Sequence, residues 1–238
     1  MEIKSFAINL ARETDRWKSV LIEIEKLDIT VKRVEAVDMN LLAPNQNPFV
    51  TSGVYACWES HRKIYREFID TGGKYALIFE DDFFVKYPKV FHAALRDIQA
   101  SNWDVAQIGF ISPGIKVKLR IILGNLENIL LISFSKIAHR KPFKWLGQEN
   151  RMRVREARKA HVSWIPDDFQ PGTHCYAISR DCAMNVLEMN DPQFLSADDF
   201  FMALAKMRIF QMKRYFIPIV GQKKFPKFPG ERFKRFEN

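Results

Sequence analysis

The sequence has few cysteines and no long apolar run. Its three cysteines, Cys57, Cys175 and Cys182, are widely spaced and odd in number, which argues against a disulfide framework and against paired metal ligands. No stretch approaches the roughly 18 consecutive apolar residues that a membrane-spanning helix needs, and the first ten residues make a poor signal peptide. Repeats and low-complexity segments are also absent from the sequence. We therefore expect a globular protein in a reducing, cytosolic compartment.

Apolar residues are plentiful and follow regular patterns. The 238 residues are 47% apolar and 13% aromatic, which is enough for one large packed core. The periodicity predicts a first helix whose inner face carries Trp17, Leu21, Ile24 and Leu27. Strands are predicted at 3–10, 29–37, 75–79, 103–110, 173–179 and 214–220, and helices at 11–27, 52–70, 90–101, 180–189 and 196–207. This order is typical of an α/β domain.

Positive charge is concentrated in the middle of the chain. Residues 115–162 contain twelve lysines and arginines and three glutamates, and the resulting excess equals the net charge of +9 of the whole chain. We expect a basic helical insertion at about 113–165, with an amphipathic helix at 121–134, and a basic, aromatic tail at 222–238, all within a single domain spanning 1–238. The insertion has three open interpretations: a solvated helical excursion, a surface for an anionic acceptor, or a contact with an anionic membrane.

Three acids in a row, Glu80, Asp81 and Asp82, directly follow the strand predicted at 75–79. Ligands of open α/β sheets bind beyond the carboxyl ends of the strands. Side chains alternate along a strand, so Glu80 and Asp82 should lie on one side, and Asp81 should hold a backbone amide or an arginine on the other. Two carboxylates on one side suit Mg²⁺ or Mn²⁺ completed by phosphate oxygens. A solvated acidic turn that pairs with Lys or Arg is the alternative.

Polar residues also follow the first predicted strand. Asn9, Arg12 and Arg16 lie where this strand ends and the next helix begins. A helix N-terminus and guanidinium groups suit a uracil, a ribose or a phosphate. The alternative is a surface helix in which Arg12 pairs with Glu13 or Asp15.

Two further sets of residues have both a structural and a functional interpretation. His174, on the strand predicted at 173–179, is either a metal or phosphate ligand or a core histidine. Asp198 and Asp199 follow Ser196, the predicted N-cap of a helix, where acids stabilise the first turn. Either acid could instead be a general base, and Asp199 is preferred because Phe200 should pack inward.

Five short motifs, in order, resemble glycosyltransferase family 25. They are INLARETDRW (8–17), VEAVD (34–38), GVYACWESHRKIY (53–65), YALIFEDD (75–82) and PGTHCYAISRDCAMNVL (171–187). The family contains lipooligosaccharide and collagen galactosyltransferases. The resemblance implies a GT-A fold, in which a Rossmann-like mixed sheet is flanked by helices, with UDP-galactose as the usual donor and Mn²⁺ as the metal. Tyr55 and Trp58 depart from the small residues common in the third motif, and the basic insertion has no counterpart.

With this resemblance, the residues predict an inverting, metal-dependent hexosyltransferase. Glu80, Asp82 and His174 are the expected ligands of Mn²⁺ or Mg²⁺. Asp198 or Asp199 is the expected base. The expected nucleotide-sugar residues lie at strand ends or on the helix at 52–70: Asn9, Arg12, Arg16, Ser60, His61 and Asp81. For His61, the resemblance makes a donor-site role as well supported as that of a packed core residue.

The expected partners are a UDP-hexose and a glycan hydroxyl, on lipopolysaccharide, lipooligosaccharide or another surface or lipid-linked glycan. The basic insertion would place the protein peripherally on the inner face of a membrane. The alternative is a degenerate transferase fold that binds nucleic acid or an anionic membrane through its basic segments. No recognised nucleic-acid motif accompanies the charge, so nucleic acid is not an expected partner. A metal phosphohydrolase would need a histidine-aspartate cluster, which the sequence lacks.

Overall fold

The computed structural model describes residues 3–42, 50–111, 163–191, 193 and 195–224. The strands in this part of the chain are β1 (Ile3–Asn9), β2 (Lys32–Glu35), β3 (Tyr75–Glu80), β4 (Phe83–Val85), β5 (Val105–Gly109), β6 (Trp164–Pro166), β7 (Cys175–Ser179), β8 (Met212–Tyr215) and β9 (Val220–Gln222). The α-helices are α1 (Thr14–Leu27), α2 (Ser52–Ile69), α3 (Pro88–Ala100), α4 (Arg180–Glu188) and α5 (Ala197–Met207), and Met39–Leu41 form a 3₁₀ helix.

The described strands form one mixed sheet flanked by helices. Its order is β2-β1-β3-β7-β5-β8-β6, and β9 pairs with both β4 and β5. Strand β1 is parallel to β2 and to β3, with Ile8 opposite both Val34 and Glu80. Strand β7 is antiparallel to β3, with Phe79 opposite Cys175. The carboxyl ends of β1, β2 and β3 and the start of β7 therefore meet at one edge of the sheet.

The core has one apolar layer on each face of the sheet. Along β3, Ala76 and Ile78 pack with α2, α4 and α5, whereas Leu77 and Phe79 pack with α1 and α3. A strand covered on both faces carries a continuous apolar run rather than an alternating one. This explains the sequence of β3. It also holds Glu80, the last residue of β3, and the following Asp81 and Asp82 at a rigid strand end.

The predicted α/β class and most predicted elements are confirmed, with four corrections. Leu21 does not face the core: it is exposed, and Val20 is buried instead. The second strand is shorter than predicted. Short strands β4 and β6 were not predicted, because runs of three residues give no clear period. The strand predicted at 214–220 is two strands, β8 and β9, separated around Pro218, which has no backbone N–H to donate to a ladder.

Two predictions lie outside the described residues. The basic insertion falls largely within 112–162, including the amphipathic helix predicted at 121–134, and most of the basic tail falls within 225–238. Among the residues that the structure does describe, no helix combines the length and the apolar character needed to cross a membrane.

Candidate active site

An open pocket of about 580 Å³ lies at the edge of the sheet where β1, β2 and β3 end. This volume is in the usual range for small-molecule sites. The loops after β1 and β2, the first turns of α2 and the three acids after β3 line it. All six predicted nucleotide-sugar residues and two of the predicted metal ligands are in this lining: Asn9, Arg12, Arg16, Ser60, His61, Asp81, Glu80 and Asp82.

Glu80 is the last residue of β3 and is held by two neighbours. Its Oε1 accepts a hydrogen bond from the Thr173 hydroxyl at 2.5 Å and lies 3.5 Å from Nε2 of His61. Burial opposes ionisation of this carboxyl, but the contacts with His61 and Thr173 outweigh it and lower the pKa of Glu80. Glu80 therefore carries a negative charge at neutral pH.

Only one of the two carboxylate oxygens of Asp82 is hydrogen-bonded to a side chain in the described part of the chain. Its Oδ2 accepts a hydrogen bond from Nε2 of Gln222 at 2.8 Å, whereas its buried Oδ1 has no hydrogen-bond partner among the described residues. Burial, followed by the charges of Glu80 and Asp81, raises the pKa of Asp82 to about 7. A buried carboxylate with such an oxygen next to a second carboxylate suits a hard divalent cation, so this pair fits Mg²⁺ or Mn²⁺.

Asp81 faces different partners, as the alternation along the strand predicts. It accepts hydrogen bonds from Asn9 Nδ2 at 2.7 Å and from Arg16 Nη1 at 3.2 Å. Burial raises the pKa of Asp81, and Asn9 and Arg16 offset only part of that effect. The Asn9 side-chain amide also donates a hydrogen bond to the Glu13 carbonyl and accepts one from Arg33. Both ends of this amide are therefore bonded within the protein, and Asn9 contributes to the site by fixing the position of Asp81.

Two other predicted nucleotide-sugar residues, Ser60 and Arg12, also form contacts within the protein. The Ser60 hydroxyl donates to the Ala56 carbonyl at 2.7 Å and accepts from the Val37 amide at 2.9 Å. Ser60 therefore joins α2 to the loop after β2 and shapes the pocket wall. Arg12 forms an ion pair with Asp38, and its side chain is 43% exposed, so its guanidinium group remains within reach of a ligand in the pocket.

His61 is both a core residue and a pocket residue. Its side chain is fully buried, and Nδ1 is hydrogen-bonded to the Tyr176 hydroxyl at 2.9 Å. The Tyr176 hydroxyl is in turn 2.5 Å from that of Tyr65. This buried chain fixes the orientation of the His61 ring, so that Nε2 faces Glu80.

His174 does not line the pocket. Its ring packs between two glycines: a Cβ on Gly109 would lie 2.8 Å from Cδ2 of the ring, and a Cβ on Gly172 would lie 2.8 Å from Nδ1. Burial lowers the pKa of His174 despite the nearby charge of Glu80, which keeps the ring neutral. Among the described residues, neither His174 nor Asp82 belongs to a cluster of three close metal-ligating atoms, so the predicted metal ligands Glu80, Asp82 and His174 stay a prediction.

Asp198 and Asp199, in the first turn of α5, have different environments. Asp199 is exposed: it accepts a hydrogen bond from the Ser196 hydroxyl at 2.7 Å, and its amide donates to the same oxygen at 3.2 Å. This is a helix-capping arrangement. The pKa of Asp198 is raised, first by burial and then by the charge of Glu80. Asp198 is therefore the acid that is influenced by Glu80, and the choice of base between Asp198 and Asp199 stays a prediction.

Some site residues were missed from the sequence. Thr173 and Cys57 lie inside the motifs singled out above, so a motif-based search could have included them. Asp38 ends the VEAVD motif and was missed as the partner of Arg12. Gln222 carries no local signal, because its contact with Asp82 depends on the pairing of β4 with β9.

These features define an α/β protein with a ligand pocket at the carboxyl edge of its parallel strands, lined by carboxylates and arginines. The family model of glycosyltransferase family 25 (LPS biosynthesis protein) matches residues 2–202, and the chain belongs to this family. The family resemblance of the five motifs is thus confirmed.

Several curated proteins match part of the chain. Inactive glycosyltransferase 25 family member 3 of Homo sapiens is 30% identical over 127 residues, which cover 44% of this chain and 21% of that protein. Procollagen galactosyltransferase 1 of Danio rerio is 29% identical over 125 residues, with the same coverage. Procollagen galactosyltransferase 2 of Homo sapiens is 32% identical over 120 residues, 43% of this chain and 19% of that protein. The match spans about a fifth of these relatives.

Relatives named as inactive and relatives named as galactosyltransferases share this region. Membership of the family therefore leaves activity to be decided by the residues of this site. Among solved structures, the crystal structure of A197 from STIV matches 95% of this chain and 96% of its own chain, with a TM-score of 0.39 and 9% identity, a similarity too distant to bear on function.

Proposed function

We propose that this chain is an inverting glycosyltransferase of GT-A type that moves a hexose from a UDP-sugar to a glycan hydroxyl. Galactose is the first hexose to test, because two of the relatives are named as galactosyltransferases. The observation that supports the proposal best is the convergence of Glu80 and Asp82 with Arg12 and Arg16 in one pocket lining. Asp198 lies outside that lining but close enough for the charge of Glu80 to contribute to its raised pKa.

The pocket has groups suited to each part of a nucleotide-sugar. Glycosyl transfer separates the anomeric carbon from a diphosphate, and the transition state resembles an oxocarbenium ion. The guanidinium groups of Arg12 and Arg16 lie in the lining, where they suit phosphate oxygens. Both already have carboxylate neighbours, Asp38 for Arg12 and Asp81 for Arg16, which hold the two guanidinium groups in place before a ligand binds.

Glu80 and Asp82 are the residues that would hold Mn²⁺ or Mg²⁺. The ion, when bound, supplies positive charge that stabilises the diphosphate leaving group. Without it, the charge of Glu80 disfavours ionisation of Asp82 and contributes to its raised pKa. His174, the third predicted ligand, contributes in this arrangement by shaping the backbone beside Thr173.

Asp198 is the proposed general base. Inversion requires a group that accepts the proton of the acceptor hydroxyl as its oxygen attacks the anomeric carbon. Oδ1 of Asp198 is buried and has no hydrogen-bond partner among the described residues, so it is available to accept that proton. The raised pKa of Asp198 makes it a stronger base than an exposed aspartate.

The acceptor is proposed to be a lipopolysaccharide, lipooligosaccharide or other surface glycan. The name of the family model includes LPS biosynthesis, and the basic segment 115–162 would suit an anionic or lipid-linked acceptor at the inner face of a membrane.

The deciding experiment measures UDP-hexose binding by calorimetry and UDP release by product assay, with and without Mn²⁺. The wild type, Asp82→Asn and Glu25→Gln are compared, where Glu25 is an exposed acid of α1 that serves as the control. Mn²⁺-dependent binding that is lost in Asp82→Asn and kept in Glu25→Gln supports the proposal. An absence of UDP-sugar binding, with salt-sensitive binding to RNA or anionic vesicles instead, would favour the basic binding module.

A further inference from the structure

Three different groups that can bind a metal ion lie close together beside the three consecutive acids. Cys57 and His61 are four residues apart on α2 and therefore lie on the same face of the helix. Glu80 ends β3 directly opposite this face. One donor atom from each residue, a thiol sulfur, an imidazole nitrogen and a carboxylate oxygen, lies within 4.8 Å of the other two.

His61 has a ring nitrogen that no group in the described part of the chain satisfies. The His61 side chain is fully buried, yet Nε2 has no hydrogen-bond partner in the described structure. Oε1 of Glu80 is 3.5 Å from it, which is beyond the ordinary range of an N–H···O bond. Two ligands bound to a tetrahedral Zn²⁺ at about 2.0 Å lie about 3.3 Å apart. The observed separation is therefore close to that of two ligands sharing such an ion.

The rest of the histidine ring is arranged as in a metal ligand. Histidines that bind metals usually use their second ring nitrogen to donate to an oxygen atom, which fixes the tautomer. Nδ1 of His61 is 2.9 Å from the Tyr176 hydroxyl, which is itself bonded to Tyr65. A bound ion would select the tautomer in which Nδ1 is protonated and donates to Tyr176, so that Nε2 offers its lone pair to the ion. Without an ion, a proton on Nε2 faces Glu80 and favours its ionised form.

We propose that Cys57, His61 and Glu80 form a site for a borderline divalent ion, Zn²⁺ above all. A thiolate and an imidazole favour Zn²⁺ over Mg²⁺ or Mn²⁺, which prefer oxygen ligands. All three residues line the pocket, so the fourth position of a tetrahedral ion faces the pocket and is open to water or a ligand. Binding converts the Cys57 thiol to a thiolate and releases its proton to solvent.

The proposed zinc site shares Glu80 with the oxygen site of Glu80 and Asp82. Two divalent cations beside one carboxylate repel each other, so Zn²⁺ at Cys57 and His61 weakens the binding of Mn²⁺ at Asp82. This consequence depends on the proposed function, and it makes Zn²⁺ an inhibitor of the transferase. The existence of the zinc site does not depend on that function.

The test uses the untagged full chain, stripped of metal and kept reduced, and titrates it with Co²⁺ as a spectroscopic substitute for Zn²⁺. A thiolate-to-cobalt absorption band at one ion per chain, removed by one equivalent of Zn²⁺, is expected. Cys57→Ser should abolish the band, and Cys182→Ala, which removes a buried thiol elsewhere, should retain it. Tyr176→Phe should weaken ion binding by about 10- to 100-fold, because it removes the oxygen that orients His61.

Asp82→Asn separates the two metal sites. It should lose Mn²⁺-dependent UDP-sugar binding and keep the cobalt-thiolate band. A wild type without the band, or a band that survives Cys57→Ser, overturns the zinc site even where UDP-sugar transfer is observed. A cobalt-thiolate band in a protein that binds no UDP-sugar supports the zinc site and overturns the proposed transferase function.

Discussion

At the scale of single residues, the three consecutive acids have three different roles because each meets different neighbours. Glu80 is kept ionised by His61 and Thr173, and Asp81 is held by Asn9 and Arg16. Asp82 has a buried oxygen without a hydrogen-bond partner among the described residues, and its pKa is raised to about 7. Like charges at such short spacing are tolerated because one of them can stay protonated when no cation is bound.

The raised pKa of Asp82 predicts a pH-dependent stability. Its folded-state pKa lies above that of the unfolded chain, so the stabilising contribution is full below about pH 4 and is lost as the pH rises to about 7. Without divalent ions, Asp82→Asn should therefore be more stable than the wild type at pH 8, and the difference should shrink toward pH 4. Denaturant melts across this range measure it.

The metal supplies the control for this prediction. Mn²⁺ should stabilise the wild type at pH 8 and leave Asp82→Asn nearly unchanged, because a ligand that binds only the folded state stabilises it. Equal pH profiles for the two proteins would show that Asp82 titrates as an ordinary exposed acid.

Substitution of the two adjacent acids of α5, one at a time, should distinguish the general base from the residue that stabilises the start of the helix. Asp198→Asn should lower kcat by about 10²- to 10⁴-fold, as the loss of a general base does, and should leave UDP-sugar binding intact. Asp199→Asn should cost stability of about 0.3–1 kcal/mol, because it removes a negative charge from the first turn of the helix, with little change in kcat. Steady-state kinetics and denaturant melts on both variants check this, and a larger kcat loss in Asp199→Asn would reverse the assignment.

At the scale of elements, β5 and β7 approach closely around the His174 ring. Gly109, at the end of β5, leaves room for both Cys175 and His174: a Cβ there would lie 2.7 Å from the Cys175 Cβ. Gly172 has φ of +108° and lies against the same ring. This packing sets the position of Thr173, which holds Glu80.

Gly109→Ala should destabilise the protein by about 1–3 kcal/mol, because the added methyl overpacks a rigid strand pair. Gly72→Ala is the comparison: Gly72 has a positive φ of 74°, but a methyl added there would meet no described atom within 4 Å, so only backbone strain of about 1 kcal/mol applies. Urea denaturation of both variants measures the difference. Equal losses would mean that the His174 packing is not tight.

The elements were mostly predictable because their signals are local. The capping of α5 by Ser196, the buried run of β3 and the face of α2 depend on residues within a few positions. The misplacement of Leu21 has the same origin, since a helical period leaves the boundary of the buried face uncertain by one residue. The short strand β4 pairs with β9, and β9 also pairs with β5; neither short strand had a local pattern.

At the scale of the whole molecule, charge distinguishes the basic segment from the rest of the chain. Residues 115–162 carry an excess of positive charge equal to the net charge of the protein. Basic segments are attracted to anionic lipid surfaces by about 1 kcal/mol per Lys or Arg, and salt screens the attraction.

The chain should therefore float with vesicles that contain anionic phosphatidylserine and not with neutral phosphatidylcholine vesicles, and high salt should release it. Arg153→Gln with Arg155→Gln should weaken the binding. The matched pair Lys89→Gln and Lys206→Gln, at exposed positions of α3 and α5, should weaken it less. Flotation that does not depend on anionic lipid would remove the membrane from the proposed function.

The sequence by itself determined most of the strands and helices, the position of the three acids at the end of β3 and the family, because periodicity, capping and motifs depend on neighbouring residues. Only the tertiary structure decided which groups meet. Thr173 reaches Glu80 across 93 residues, and Gln222 reaches Asp82 across 140. Contacts at such separations depend on strand order and on the direction of β7. For this reason the structure, and not the motifs, brought Cys57 and His61 to Glu80 and gave Asp198 and Asp199 different environments.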